Sequence, residues 1–406
     1  MKGMGPIPPG LEADAQGRLL ISGQDVETLV AEAGGTPLFA YDRHAIGARV
    51  ASFRAFFPED VALHYAVKAN PYGPLLEAMA GLVDGFDVAS AGELGRVAHL
   101  GLPISFAGPG KRDQELETAI RAGVTINLES EGEAERALAI CKGEGLTARL
   151  AVRVNPPFGL RGSGQKMGGL PSQFGVDHDR AAALIRRIAE AGGDWQGLHI
   201  FAGSQALHAD ALIDLQRETV ALAASICEEA GRAPPHVNLG GGFGIPYFAK
   251  DEPLNVESVG TALVNALAGR PKILAGTEFA IELGRWLVGE AGVYLTRVVD
   301  RKESRGKIFL VTDGGLHHML AASGNFGQLL RRNYPVAIAS RFGVSANEEA
   351  SIVGCLCTPL DLLADEVALP AADVGDLVAV FCAGAYGLSA SPQAFLSQSA
   401  AREILV

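Results

Sequence analysis

Lys68 is the residue in this sequence whose position suggests chemistry most directly. It follows a short apolar run and lies in the segment 64–71, which reads HYAVKANP. Proline cannot extend a strand ladder, so the strand is expected to end there. A lysine inside a strand would be costly to bury, whereas a lysine at the carboxyl end of a parallel strand points into the crevice where α/β proteins bind ligands. A solvated lysine in an ordinary strand-to-helix turn is the alternative.

Two later segments carry groups that complement an amine. Leu239 ends an apolar run, and a glycine-rich stretch, GGGFG, follows it at residues 240–244. Glycines let backbone N–H groups approach an anion closely, although turns and bulges also use them freely. A further run ends in Glu282, and Arg285 follows it with a fork of donors that suits a phosphate. An ion pair between Glu282 and Arg285 is the alternative.

Apolar runs that alternate with helix-period segments must position these residues. The runs occupy residues 62–67, 86–89, 104–107, 125–128, 149–154, 197–201, 237–239 and 278–282. The helical segments between them include residues 91–100, 114–122, 131–142, 180–191, 212–230 and 256–267. Strand–helix alternation implies parallel pairing, and eight such units close naturally into a (β/α)8 barrel. An open doubly wound sheet is the alternative.

The chain after Arg285 is predicted to form a second, mostly β domain. Strand-like runs separated by Gly, Pro and Asp turns occupy residues 286–299, 307–312, 335–340, 351–353 and 377–383. Two N-terminal strand candidates at 19–22 and 37–41, with a helix candidate at 24–33 between them, have no place in the barrel count. They are therefore expected to pair with the β domain. The predicted organisation is N-terminal strands in 1–42, a barrel in 43–285 and the β domain in 286–406.

Composition disfavours several classes of protein. The 406 residues are 48% hydrophobic and 20% charged, which is typical of a soluble globular protein with a packed core. The net charge of −12 argues against a nucleic-acid partner. The five cysteines lack the spacing of a disulfide framework, and no apolar segment resembles a signal peptide or a membrane helix, so a cytoplasmic location is expected. Cys355 and Cys357 are too few ligands for a metal site, and no metal is expected.

A lysine after the first barrel strand, a glycine turn after the seventh and a carboxylate on the eighth together suggest pyridoxal 5′-phosphate. The aldehyde of this cofactor needs a lysine amine for a Schiff base, and its phosphate needs backbone donors. Its pyridinium nitrogen needs a carboxylate partner to stay protonated. Sugar-phosphate aldolases also use a barrel lysine, but theirs usually lies on a later strand, and they lack an appended β domain.

Several motifs follow one another along the chain: YAVKAN around Lys68, FDVASAGEL from Phe86, GSQ from Gly203, GGGFG from Gly240, ELGR from Glu282, GCLCTPLD from Gly354 and GAYG from Gly384. Together they resemble the motifs of the fold-type III pyridoxal-phosphate amino-acid decarboxylases, a superfamily that includes diaminopimelate, ornithine and arginine decarboxylases. The segment GSGQKMGGLPSQFGVD from Gly162 is similar to a branch found with exosortase and secondary-metabolite systems. That branch includes enzymes that decarboxylate glutamate carried on an acyl-carrier protein.

The resemblance implies an alanine-racemase-like barrel, a homodimer, and decarboxylation of an α-amino acid through a Schiff base and a quinonoid intermediate. It makes Lys68 the Schiff-base lysine and Glu282 the partner of the pyridine nitrogen. Cys357 would return a proton to the substrate α-carbon, delivered by the β domain of a second subunit; a small buried hydrophobe is the alternative. The other residues implied to bind the cofactor are Asp87 and Arg153 beside the lysine and cofactor face, Phe201 at the ring, and Ser204, Gly241, Gly242, Arg285 and Tyr386 at the phosphate.

Two positions depart from the family pattern. Where the family often places a histidine over the cofactor ring, this sequence has Phe201, and His199 lies two residues earlier. After the catalytic cysteine the diamine decarboxylases carry Asp and the diaminopimelate enzymes Glu, whereas this sequence has Thr358. The missing carboxylate disfavours a substrate with a free distal ammonium. It favours an acidic, amidated or carrier-tethered amino acid, and hence an acyl-carrier protein as a partner.

Further polar residues are candidates for substrate contacts. One residue of the pair His317 and His318 could line a substrate pocket, but adjacent strand positions face opposite ways, which disfavours a shared metal. Basic residues that could meet an acidic substrate or carrier, with solvated surface charge as the alternative, are Arg161, Lys166, Arg331 and Arg332. The rival functions are a diaminopimelate decarboxylase, an amino-acid racemase of the same fold and a non-catalytic pyridoxal-phosphate-binding protein.

Overall fold

The computed structural model describes residues 2–162, 164–326, 328 and 330–406. The strands of this part of the chain are β1 Glu12–Ala13, β2 Leu19–Ile21, β3 Gln24–Asp25, β4 Leu38–Tyr41, β5 Val61–Ala66, β6 Gly85–Val88, β7 Ile104–Phe106, β8 Thr125–Leu128, β9 Arg149–Asn155, β10 Gln165–Lys166, β11 Val176–Asp177, β12 Asp194–Ile200, β13 Gly203–Ser204, β14 His236–Asn238, β15 Glu278–Leu283, β16 Gly292–Ser304, β17 Lys307–Thr312, β18 Val336–Ile338, β19 Glu348–Val353, β20 Leu362–Leu369, β21 Leu377–Val380 and β22 Arg402–Leu405. The α-helices are α1 Val26–Glu32, α2 Arg43–Phe56, α3 Gly73–Ala80, α4 Ala91–Val97, α5 Asp113–Arg121, α6 Glu131–Glu144, α7 His178–Glu190, α8 Ala209–Ala230, α9 Val256–Ala268 and α10 Arg285–Val288.

The chain packs as two compact units. The barrel unit contains residues 50–244 and 253–284, and the β unit contains residues 1–49, 245–252 and 285–406. The short segment 245–252 thus leaves the barrel unit and returns to it. It packs in the β unit through aromatic rings, because Tyr247 and Phe248 lie 4.7 Å and 5.7 Å from the ring of Tyr334.

The barrel unit is a closed parallel barrel, which confirms the predicted (β/α)8 fold. Its strands pair in the order β5, β6, β7, β8, β9, β12, β14 and β15, and β15 pairs back with β5. Each strand coincides with one of the predicted apolar runs to within a few residues, because parallel strands covered on both faces are apolar throughout. Helix α3 was not predicted from the sequence.

Register sets which polar side chains become neighbours inside the barrel. Glu282 on β15 lies opposite His64 on β5, and Asp87 on β6 lies opposite Ala66. On the far side His199 lies between Arg153 and Asn238. Because alternate residues of a barrel strand face inward, the register brings these polar groups together at the carboxyl ends of the strands.

The β unit is built on a sheet in the order β18, β21, β16, β17, β19 and β20, which confirms the predicted mostly β domain. The N-terminal strand β4 joins it by pairing with β16, and β4 also pairs with β22. Strand β2 lies instead in a separate three-stranded sheet with β1 and β3. Its residues Leu19 and Ile21 nevertheless share a core with Leu38 and Phe381.

Some predicted element bounds in the β unit were wrong. The run 286–299 was expected to be one strand, but Arg285–Val288 forms the helical turn α10 and β16 begins at Gly292. Strand β20 was missed because its sequence, LLADEVAL, has a charged centre. Glu366 in that strand has φ +52°, so the strand is irregular where its sequence pattern is broken. No helix in the described part of the chain is long and apolar enough to cross a bilayer.

Candidate active site

Lys68 lies at the rim of the barrel, directly after β5. The strand passes into a single 3₁₀ turn, Val67–Ala69, in which the two flanking residues are buried and Lys68 is exposed. A Cβ at Gly284 would come within 2.7 Å of the Ala69 side chain, so a glycine there lets the turn pack closely. The Lys68 Nζ lies 5.7 Å from the centroid of the Phe201 ring, within cation–π range.

Glu282 is a buried carboxylate held by two side chains. Its side chain is 6% exposed, and its Oε2 lies 2.9 Å from Nε2 of His199 and accepts a hydrogen bond from Nδ2 of Asn238 at 3.3 Å. Burial alone would raise the pKa of Glu282. The pairing with His199 and the nearby Lys68 and Arg153 cations outweigh burial and hold this pKa well below its usual range. Glu282 is therefore ionised at neutral pH.

The glycine turn, residues 240–244, follows β14 and is tied to the same carboxylate. Asn238, which binds Glu282, also accepts a hydrogen bond from the Gly240 N–H at 2.8 Å. A Cβ at Gly241 would collide with the backbone oxygen of Glu282, and one at Gly242, where φ is +88°, would lie 2.6 Å from the Gly203 oxygen. Only glycine fits at these two positions.

Ser204 lies beside the glycine turn. It ends the two-residue strand β13, which pairs antiparallel with β10. Two residues after it, the Ala206 N–H donates to the Gly242 oxygen, and the Gly244 N–H donates to the Ala206 oxygen, both at 2.9 Å. Two segments predicted from separate motifs to bind the phosphate are thus neighbours in the barrel unit.

Asp87 and Arg153 are both buried, at 7% and 6% exposure, and each has a partner in the barrel. The Asp87 carboxylate accepts a hydrogen bond from the Ser105 hydroxyl, and its second oxygen lies 3.7 Å from Nδ1 of His64. Arg153 donates to Glu129 at 2.7 Å. Burial lowers the pKa of His64, but the Asp87 and Glu282 carboxylates outweigh burial and raise it above its usual value.

Three residues that position this set were not assigned a role from the sequence. His64 lies four residues before Lys68, at the two-residue period of an inward-facing strand position, and that period was the available signal. Asn238 and His199 contact Glu282 from other strands, so only the register reveals them. Among the described residues no hydrogen-bond partner meets His64 Nδ1, His199 Nδ1 or the second oxygen of Asp87.

The donor set of the barrel unit fits pyridoxal 5′-phosphate. A primary amine stands at the rim, an ionised carboxylate lies on the last strand, and a turn without side chains exposes its backbone beside a serine hydroxyl. The cofactor needs these three kinds of group for its aldehyde, its ring nitrogen and its phosphate.

Arg285 and Tyr386 form a separate cluster in the β unit, together with Tyr247, which was not predicted from the sequence. The Arg285 guanidinium lies 4.6 Å from the Tyr386 ring and 5.5 Å from the Tyr247 ring, and it donates to the Tyr247 hydroxyl at 2.9 Å. Burial lowers the pKa of Arg285, but the two tyrosines outweigh burial and raise it. Tyr386 has φ +53°, a strained conformation for this residue. Its half-buried ring thus packs on a cation.

Cys357 and Thr358 lie in residues 354–361, here called the cysteine loop. The Cys357 side chain is exposed, which argues against a packing role, whereas Cys355 is half-buried with its Sγ 3.7 Å from the Asp313 oxygen. Burial, and then the nearby Asp361, raise the pKa of Cys355. The half-buried Thr358 accepts a hydrogen bond from the Leu360 N–H at 3.3 Å. The position that follows Cys357 is therefore neutral and bonded within its own loop.

His317 and His318 do not lie on a strand, so the expectation that they face opposite ways was wrong. They belong to a turn after β17, here called the histidine turn (residues 314–318), and their rings are 3.8 Å apart. His318 bonds the Tyr294 hydroxyl at 3.1 Å and the Ser399 oxygen at 2.8 Å. Burial lowers the pKa of His318 to about 4. A substrate contact for either histidine stays a prediction.

The basic residues considered for an acidic partner are largely engaged within the protein. Arg331 donates to the backbone oxygens of Ser323 and Leu362 at 3.1 Å and 2.6 Å. The guanidinium carbon of Arg332 lies 3.6 Å from the Phe248 ring centroid. Arg161 is exposed but pairs with Asp214, and the Lys166 side chain lies outside the described part of the chain.

A closed barrel with a rim lysine after its first strand, joined to a mostly β unit, defines an alanine-racemase-like pyridoxal-phosphate enzyme. The model of one family, described as pyridoxal-dependent decarboxylase, pyridoxal binding domain, matches residues 43–289. The chain belongs to this family of pyridoxal-dependent decarboxylases. It is thus a carboxy-lyase that uses pyridoxal 5′-phosphate, as the motifs implied.

Individual relatives cover almost the whole chain. The L-glutamyl-[BtrI acyl-carrier protein] decarboxylase of Niallia circulans is 37% identical over 91% of this chain and 88% of its own length. A diaminopimelate decarboxylase of Methanothermobacter thermautotrophicus is 31% identical over 98% of this chain and 92% of its own. The solved diaminopimelate decarboxylase of M. jannaschii in complex with L-lysine has a TM-score of 0.86 at 26% identity, covering 98% of this chain and 93% of that one.

Proposed function

We propose that this decarboxylase acts on an α-amino acid whose side chain is acidic or tethered to an acyl-carrier protein, with an L-glutamyl group on a carrier as the first candidate. The observation that carries the proposal is Thr358. A substrate with a distal ammonium is expected to need a carboxylate partner where that ammonium binds. The side chain after Cys357 is instead a neutral hydroxyl that already accepts a hydrogen bond from Leu360. The glutamyl-carrier relative from Niallia circulans supports the same substrate class.

The residues of the chain have separate tasks in this proposal. Bound pyridoxal phosphate supplies an electron-withdrawing ring that takes up the bonding pair left by carbon dioxide. Lys68 would hold the cofactor through its amine, and the ionised Glu282 would stabilise a proton on the ring nitrogen. Gly241 and Gly242 would bind the phosphate through backbone N–H groups. Cys357 donates a proton to the substrate α-carbon.

The rival substrate is diaminopimelate, which the relative from Methanothermobacter thermautotrophicus supports. A comparison of substrates with and without the carrier distinguishes the two proposals. The purified enzyme, loaded with pyridoxal phosphate, is incubated with meso-diaminopimelate, with L-glutamate and with L-glutamyl acyl-carrier protein. Product mass and released carbon dioxide are followed. We expect carbon dioxide from the glutamyl carrier at a kcat/KM at least about 100-fold above that for diaminopimelate. Preferential turnover of diaminopimelate would overturn the substrate proposal, and inversion without carbon dioxide would indicate a racemase.

We also propose a homodimer in which Cys357 acts on substrate bound to the other subunit. The resemblance to fold-type III decarboxylases and the exposed position of Cys357 support this arrangement. The cytoplasmic location expected from the sequence stays a prediction.

A further inference from the structure

Asp361 is a buried carboxylate that joins two loops of the β unit. It is 3% exposed. Its Oδ1 accepts a hydrogen bond from the Leu316 N–H at 2.6 Å, and its Oδ2 accepts one from the Leu356 N–H at 2.8 Å. Leu316 belongs to the histidine turn and Leu356 to the cysteine loop. One side chain therefore bonds both segments through charge-assisted hydrogen bonds, which are stronger than neutral ones.

Two glycines, one in each loop, leave space for the Asp361 carboxylate. A Cβ at Gly315 or at Gly354 would collide with the Asp361 carboxylate oxygens. Neither glycine has a positive φ, so space and not backbone conformation requires glycine at these two positions. The Gly354 N–H also donates to the Asp361 backbone oxygen at 3.0 Å. The histidine turn and the cysteine loop thus approach the same group as closely as backbone allows.

A buried carboxylate here has a cost that packing alone does not explain. Burial raises the pKa of Asp361, and the N–H groups of Leu316 and Leu356 oppose burial without cancelling it. An apolar residue of similar size would avoid that cost. A carboxylate is, however, the smallest side chain with two acceptor oxygens, whereas an asparagine offers one acceptor and one donor. The joining of two N–H donors from different loops needs a residue of this kind.

We propose that Asp361 is a positioning residue that fixes the loop carrying Cys357 to the turn carrying His317 and His318. The joining of the two loops stands on the geometry alone. Its catalytic consequence rests on the proposed function, in which Cys357 donates a proton at the α-carbon. A thiol that must reach one carbon atom loses rate steeply when its loop has more than one position.

The test uses Cys355 as an internal reporter of the loop. Its half-buried thiol lies 3.7 Å from the Asp313 oxygen, and Cys355 directly precedes Leu356 in the chain, so its reaction with iodoacetamide reports opening of the cysteine loop. In Asp361→Asn the amide can accept from one loop only and turns a donor toward the other. We expect the alkylation rate of Cys355, followed by peptide mass, to rise about tenfold or more. The exposed Cys357 should change by less than about threefold.

A pH series separates positioning from a change of charge. Removing the Asp361 charge also lowers the pKa of Cys355, which by itself shifts the alkylation curve along the pH axis and leaves its high-pH plateau unchanged. Release of the loop raises the plateau. The control is Asp300→Asn on β16, an exposed carboxylate of the same unit, which should leave the plateau unchanged. A plateau within about twofold of wild type in folded Asp361→Asn would overturn the proposal.

A second measurement distinguishes failure of this proposal from failure of the proposed function. With the glutamyl carrier as substrate, Asp361→Asn should lower kcat about tenfold or more with little change in KM, because Cys357 acts after binding. If the wild-type enzyme released no carbon dioxide from any substrate tested, the proposed function would fail. The Cys355 plateau would still decide whether Asp361 joins the loops.

The native protein supplies the test if Asp361→Asn does not fold. Because the Leu316 and Leu356 amides bind one carboxylate, a single opening should expose both, and their peptides should exchange hydrogen with deuterium at rates within about threefold of each other. Exchange rates that differ by more than about tenfold would contradict the joining of the two loops by the Asp361 carboxylate.

Discussion

Glu282 keeps its negative charge inside the barrel because two other strands supply its partners. His199 comes from β12 and Asn238 from β14, and both contact the same oxygen, Oε2. Burial opposes ionisation, yet the pKa of Glu282 stays well below its usual range. Its charge is therefore present throughout the neutral range, and it is lost only near the depressed pKa, well below the ordinary glutamate value of 4.5.

Replacement of Glu282 by Gln tests whether this charge serves catalysis. The substitution keeps the shape of the side chain and removes the proposed partner of the ring nitrogen, so we expect kcat for carbon dioxide release to fall about 100-fold or more. Cofactor absorbance should persist, because Lys68 is intact. Glu278→Gln on the same strand, whose side chain is 77% exposed, should leave kcat unchanged. Equal kcat values in the two variants would contradict the role of Glu282.

His318 predicts a specific dependence of stability on pH. Burial lowers its pKa from 6.5 to about 4. Between these pH values the unfolded chain binds a proton at His318 that the folded chain does not. The free energy of unfolding is therefore highest above pH 6.5 and decreases as the pH falls toward 4. From about pH 7.5 to about pH 5 this loss amounts to about 2 kcal/mol.

The His318→Asn variant removes the titrating group. We expect its free energy of unfolding in urea to decrease less than that of wild type over the same pH interval, by about 2 kcal/mol. The matched control is His44→Asn in the same unit, where the side chain is 85% exposed, and it should follow wild type. A wild-type pH dependence in His318→Asn would show that the histidine is charged in the folded state or titrates normally.

Single residues differ in how far the sequence could reveal them. Lys68 and Glu282 could be predicted because each ends an apolar run, and the ends of parallel strands meet at one rim. Tyr247 could not be predicted, because its contacts are with Arg285 and Tyr334, which lie far along the chain. His318 was misjudged because one sequence cannot distinguish a short strand from the turn that the chain makes there.

At the scale of elements, the glycine turn after β14 is the feature on which the proposed phosphate site depends. It packs against β15 through Gly241 and against β13 through Gly242, with no space for a side chain at either contact. Backbone N–H groups of such a turn can surround an anion only while the turn keeps this shape.

Replacement of Gly241 by Ala should therefore weaken cofactor binding. The new Cβ collides with the backbone of Glu282 and the side chain of Leu283, so the turn must shift. We expect the Kd for pyridoxal phosphate to rise about tenfold or more, while binding of pyridoxal, which lacks the phosphate, changes less. Gly95→Ala on α4, where a Cβ meets nothing within 4 Å, is the control and should bind both ligands like wild type.

Helices and strands were predictable where apolar runs alternate with helical segments, and unpredictable where the sequence lacks this alternation. The barrel strands and helices α4 to α9 follow from apolar runs and helical periods. Strand β22 and helix α10 do not follow from such patterns. Strand β22 has only four residues and pairs with β4, and helix α10 is a single helical turn before β16. In both cases a tertiary contact decides the structure.

At the scale of the whole molecule, the chain divides its candidate catalytic groups between two units. Lys68 and Glu282 lie in the barrel unit, whereas Cys357 and Arg285 lie in the β unit. The alternation of strand and helix patterns predicted a barrel and a β domain, but the segment 245–252 belongs to the β unit through its aromatic contacts, which no local pattern indicates.

The proposed dimer predicts complementation between inactive variants. Lys68→Ala and Cys357→Ala should each lose most activity alone. If Cys357 acts on the other subunit, co-refolding equal amounts should give heterodimers with one intact site, and about a quarter of the wild-type activity should return. Cys382→Ala, a buried cysteine of the same unit, replaces Cys357→Ala in the control mixture. No recovery, with dimers present by light scattering, would place Cys357 in its own subunit's site or remove it from catalysis.

The position of the cofactor can be measured directly by trapping it on the chain. The enzyme is loaded with pyridoxal phosphate, reduced with borohydride, digested and mapped by peptide mass. Attachment at the rim of the barrel predicts one phosphopyridoxyl group per chain, on the peptide that contains Lys68, and none on Lys68→Ala. A group on a different lysine, such as the buried Lys111, or no group at all, would contradict attachment of the cofactor at Lys68.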